Sequence, residues 1–256
     1  MQSRLPQASA FSSAYAGMGH RRSTSRRHRR PAPQIASVEM FRAERLGPLA
    51  GLLSLCLLVV NLAATRSAPE PETPTAQMVA EILDHRNAYV ASAALILGQA
   101  FFLLVFAAAL GAILSRVEGE TAWLGGLAAL GGAVASVLAM ASGVALLATV
   151  FTADHEPTGA VWPPLVFHTF FLTATGVALA VFMLATGLAA ISTRALPRVL
   201  AWACLPIGLG IAFGGLYGFG SELDGGVFGT VWFLAGIAFF LWTIATSIVL
   251  LRRRAT

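Results

Sequence analysis

The stretch AYVASAALILGQAFFLLVFAAALGAILS, residues 88–115, contains no Asp, Glu, Lys or Arg. A helix needs about 20 mostly apolar residues to cross the hydrocarbon core, because lipid offers no partner to a free backbone N–H or C=O. This run exceeds that length, with room for tilt, and it predicts a transmembrane helix. Five more segments qualify on the same ground: residues 46–64, 122–151, 165–192, 199–219 and 227–251. The expected fold is all-α, a polytopic transmembrane helical bundle of six spans in residues 38–256, behind a disordered Arg-rich tail at residues 1–37.

Composition points the same way. Of 256 residues, 57% are hydrophobic and 11% charged, whereas a soluble domain has about 25% charged residues. All 17 basic side chains are arginine. Nine of them precede residue 46, so the basic balance belongs to one end of the chain rather than to a folded surface. Cys56 and Cys204 both sit in apolar runs, where a thiol is expected to act as a small buried hydrophobe rather than half of a disulfide.

Short cytoplasmic loops keep an excess of positive charge. With the amino end inside, fifteen of the 17 arginines fall on the cytoplasmic side and only Arg66 and Arg86 outside. Acids lean outward, among them Glu70, Glu72, Glu81, Asp84, Asp154, Glu156, Glu222 and Asp224. The expectation is a bacterial plasma-membrane protein with both termini cytoplasmic. Trp and Tyr favour the headgroup level, and Tyr89, Trp162, Tyr217 and Trp232 fall near the outer ends of spans, Trp123 and Trp202 near the inner ones. Trp242 lies deeper and is expected to pack inside the bundle. A competing reading starts translation at Met40, which would make the first span resemble a signal peptide.

The tail segment GHRRSTSRRHRRPAP, residues 19–33, would suit nucleic acid if it preceded a soluble domain. Ahead of six apolar spans, Arg21, Arg22, Arg26, Arg27, Arg29 and Arg30 are instead placed to meet anionic lipid headgroups, and no nucleic-acid partner is expected. Between the first two spans, residues 65–72 are proline-rich and acidic. Residues 73–86 then read as a short amphipathic helix: Thr73 can cap it, Pro74 can take its first position, and Met78, Val79, Ile82 and Leu83 share a face. That face is expected to cover the bundle's outer end.

Glycine is the informative residue inside the membrane. Gly210, Gly214 and Gly218 lie four apart on one face of the fifth span, and the fourth repeats ATG at Gly176 and Gly187. Such faces let backbones approach closely, within one chain or across a homo-oligomer or other membrane-protein contact. Pro206 in the fifth span predicts a kink, and beside a glycine face it could open a cavity.

Candidate chemistry is sparse. No charge lies inside a span, which argues against a proton relay through an embedded carboxylate. Asn61, Gln99 and His168 are the polar exceptions. His85, His155 and His168, with Asp154 and Glu156, gather toward the outer side as metal-site candidates, although no HxxxH or HExxH spacing is present; solvated loop acids account for the same pattern. Ser142 and His168 could act as nucleophile and base, but Ser142 also reads as a packing residue. No cofactor motif and no catalytic residue is assigned.

RLGPLAG before the first span, ILDHR before the second, and ATGLAAISTRALPRVLAW joining the fourth and fifth resemble an uncharacterised actinobacterial family of six-span integral membrane proteins, a domain of unknown function. The resemblance covers about residues 42–254 and implies a plasma-membrane bundle without implying an activity; residues 1–37 depart from it. The expected role is a non-enzymatic structural, accessory or interaction component. The alternative is a carrier or sensor of a small apolar molecule, with the outer histidines as its gate.

Overall fold

In the computed structural model, residues 35–64, 74–119, 123–155, 160–217 and 227–252 are described. They form seven helices and no strand: α1 (Ile35–Ala64), α2 (Thr75–Asp84), α3 (Arg86–Glu118), α4 (Trp123–His155), α5 (Trp162–Thr193), α6 (Arg198–Tyr217) and α7 (Val227–Arg252). All except α2 are long and apolar enough to cross a membrane. The expected spans match these helices closely. The main difference is at α1, which begins at Ile35, well ahead of its apolar part and inside the segment read as tail. The arginine-rich residues 19–33 lie outside the described residues.

Each span packs on the next in the order α1, α3, α4, α5, α6, α7, and α7 returns to α1, closing a ring of six helices with α3 touching α5 across it. The ring is filled. Phe106 of α3, Phe182 of α5 and Trp242 of α7 come from alternate helices and meet edge to face, with centroids 6.4, 6.4 and 6.3 Å apart. Such aromatic pairs contribute about 0.5–1.5 kcal/mol each beyond area burial. Leu103, Leu110 and Met183 extend the plug along the axis.

The outer surface is the reverse of a soluble protein's. Phe101, Val137, Leu209, Phe233 and Leu241, from four different spans, are all exposed. A continuous apolar belt of this kind needs a nonaqueous neighbour, so the surface pattern independently supports what span length implies.

The end of the bundle that carries α2 has its own small core. Met78, Val79 and Ile82 of α2 are buried against Tyr89, Leu146, Val150 and Leu165 from α3, α4 and α5. The helix therefore covers the bundle as its periodicity predicts, but Leu83 turns outward. Pro74 is the N-cap rather than the first helical residue. Tyr89, in the first turn of α3, is part of this core. At the opposite end, a Glu118 carboxylate oxygen accepts from the Gly125 N–H at 2.9 Å, satisfying a free donor in the first turn of α4. Arg194 ends α5 in the left-handed region (φ 57°, ψ 28°), a conformation that costs a non-glycine residue about 1–2 kcal/mol.

Candidate functional site

Some of the polar groups inside the bundle link one helix to another, and others bond within their own helix. Ser92 Oγ donates to Asn61 Oδ1 at 2.9 Å, and Ser54 Oγ donates to the Gln99 carbonyl at 3.0 Å, so two bonds join α1 to α3. Ser136, Thr149 and Thr243 bond back to carbonyls four residues earlier on their own helices, the usual fate of hydroxyls in a lipid-buried helix.

Ser142 and His168 meet between α4 and α5. Ser142 Oγ lies 2.8 Å from His168 Nδ1 and 3.1 Å from the His168 carbonyl, and Nδ1 lies 3.0 Å from the Ser142 carbonyl. One tautomer satisfies all three contacts. The hydroxyl donates to the His168 carbonyl, and an Nδ1–H donates to the Ser142 carbonyl and Oγ. With a bare Nδ1, the ring lone pair would face the Ser142 carbonyl lone pairs at 3.0 Å, which is repulsive. A nitrogen that already carries its proton cannot take one from Ser142. Ser142 is also fully buried, so a substrate has no approach to it. The sequence-level dyad is real as a contact, but its geometry is that of a clamp between helices rather than an activated nucleophile.

His85, His155 and His168 do not converge. His85 faces its neighbour Asp84 at 3.6 Å. Asp154 pairs with Arg86 at 3.5 Å, tying α4 to α3. Asp154 and His155 belong to the last turn of α4, not to a loop. His155 Nδ1 lies 2.9 Å from the Phe151 carbonyl on its own helix, and its ring stacks on Phe151 at 4.2 Å. His168 is turned into the bundle toward Ser142. Among the described residues no group of three His, Cys, Asp or Glu side chains could hold a metal ion; Glu156, Glu222 and Asp224 lie outside them.

The glycine faces are occupied by this chain's own side chains. A methyl added at Gly214 would lie 2.7 Å from Trp232 Cβ, and one at Gly176 would lie 2.6 Å from Trp232 Cζ3. The α7 indole therefore fills the space that these glycines of α6 and α5 leave open. Gly210 would meet Ala235 Cβ at 2.9 Å, and Gly187 would meet Cys204 Cβ at 2.8 Å; Gly218 lies outside the described residues. The face expected to border a cavity near Pro206 holds Trp232 and Ala235 instead.

Comparison with family models, curated proteins and solved structures finds no match.

Sequence reasoning missed three features. Gly125 and Gly131 of α4 allow equally close approach: added methyls would lie 2.9 Å from Ser115 Cα and 2.8 Å from the Phe182 nitrogen. The repeated GG pairs in LGGLAALGGA were the available signal. The second feature is Trp232 as the partner of two glycines. The third is the aromatic plug, since no periodicity on one helix says which residues of three helices will meet.

Proposed function

We propose that this protein is a non-enzymatic integral component of the bacterial plasma membrane, with both termini cytoplasmic, that acts as a structural or accessory partner of other membrane proteins. The observation that carries the reading is the plugged ring: Phe106, Phe182 and Trp242 close its centre. The intramembrane polar contacts support it, because Ser142, His168, Asn61, Ser92 and Ser54 bond from helix to helix rather than facing an open site. The orientation rests on the arginine distribution.

The carrier reading needs a cavity at the glycine face, and Trp232 fills that face. The discriminating experiment is crosslinking in native membranes followed by purification in mild detergent. A defined, stoichiometric membrane-protein partner supports the accessory role. A chain that purifies alone and gains thermal stability from small apolar compounds contradicts it.

A further inference from the structure

The turn between α5 and α6 borders an open cavity of about 360 Å³. Its walls include Ile191 of α5, Arg194 and Leu196 of the turn, and Arg198 and Trp202 of α6. The left-handed conformation of Arg194, the C-cap of α5, reverses the chain, so that Arg194 and Arg198, the first residue of α6, line the same hollow. Arg198 and Trp202 are one helical turn apart and share a face.

Among the described residues neither arginine forms an ion pair with a carboxylate; the pairs His85–Asp84 and Arg86–Asp154 lie at the other end of the bundle. Two cations in one hollow, without a carboxylate partner among the described residues, select an anion, and guanidinium groups suit phosphate oxygens in particular. The adjoining surface says what carries that phosphate. Below Trp202, the residues Pro206, Leu209 and Phe213 are all exposed and follow at spacings of four, three and four, forming an apolar stripe down the outside of α6. A soluble phosphate has no use for such a stripe, whereas acyl chains do.

We infer that this cavity binds the headgroup of an anionic phospholipid, with its phosphate between Arg194 and Arg198 and its acyl chains along Trp202, Pro206, Leu209 and Phe213. Basic hollows between helices at the cytoplasmic face are a recognised form of lipid site. This inference rests on the membrane placement proposed above. Its arginines are other than those of the tail.

The test uses the full chain in a neutral detergent, with bound lipid counted by native mass spectrometry. Dioleoylphosphatidylglycerol, dioleoylphosphatidylcholine and inorganic phosphate are titrated separately. The wild type should retain one phosphatidylglycerol in preference to phosphatidylcholine. R194Q/R198Q should bind it about thirtyfold more weakly, the effect of two guanidiniums at an anionic surface. R198Q alone, which leaves the Arg194 turn intact, should lose about fivefold, and R116Q, a control elsewhere on the chain, should lose nothing. Equal retention of both lipids, full binding by R198Q, or inorganic phosphate bound as tightly as phosphatidylglycerol would overturn the assignment. A chain that leaves the membrane without detergent would refute the placement itself. A detergent-dependent chain without lipid preference would refute only the site.

Discussion

The indole of Trp242 meets the ring of Phe182 edge-on, their centroids 6.3 Å apart, at the centre of a ring of six helices. Phe106 completes the contact from a third helix. Side chains from α3, α5 and α7 thus make a packed core. Truncating Phe182, which is fully buried, to alanine should cost about 3–5 kcal/mol in reversible detergent unfolding. A cost below about 1 kcal/mol would mean that the centre is not packed.

The clamp between α4 and α5 predicts coupled, modest losses. Ser142→Ala and His168→Ala should each destabilise by about 1–3 kcal/mol, because each leaves a buried polar group without its partner. Their double-mutant coupling should be about 0.6 kcal/mol, the average for hydrogen bonds between membrane helices. A fluorophosphonate probe should leave Ser142 unlabelled, as its burial requires. Labelling that His168→Ala abolishes would restore the dyad as a catalyst.

The hydroxyls of Thr186 and Thr246 are buried without a hydrogen-bond partner. Valine keeps the threonine shape and removes the group whose desolvation is uncompensated. Thr186→Val and Thr246→Val should therefore be neutral or stabilising by about 1 kcal/mol, measured by the same unfolding assay. A loss in either variant would reveal a partner for that hydroxyl.

Gly214 and Trp232 predict a compensating pair. Gly214→Ala places a methyl against the indole and should cost about 1–3 kcal/mol, the usual penalty of overpacking. In a Trp232→Ala background, that penalty should largely vanish. If Gly214→Leu changes crosslinked oligomers in native membranes while the Trp232→Ala background brings no relief, the glycine face serves a second chain instead.

How much of this was legible in sequence varies with the distance over which the physics acts. Span number and limits depend on local hydropathy, so residues 88–115 announced α3 with little ambiguity. The outer helix was readable because Met78, Val79 and Ile82 recur at helical spacing, although Leu83 turned out beyond the edge of the buried stripe. The glycines announced close approach but not their partners, since Trp232 reaches Gly176 and Gly214 only through the tertiary arrangement of α5, α6 and α7. The histidines misled for a similar reason. Sharing one side of the membrane placed His85, His155 and His168 near one another in topology, while helix rotation sent His155 back onto Phe151 and His168 into the bundle.

The claim on which the rest depends is that the chain crosses the membrane six times with both ends on the cytoplasmic side. Paired alkaline phosphatase and green fluorescent protein fusions test it directly, placed after residue 120, within 156–159, after residue 196, within 219–225 and at the carboxyl terminus. The account predicts phosphatase activity only at 156–159 and 219–225, and fluorescence at the other three; deletion of residues 1–37 should leave the pattern unchanged, because Arg42, Arg45 and the loop arginines remain. Fluorescence at 156–159, or phosphatase activity at the carboxyl terminus, would contradict it.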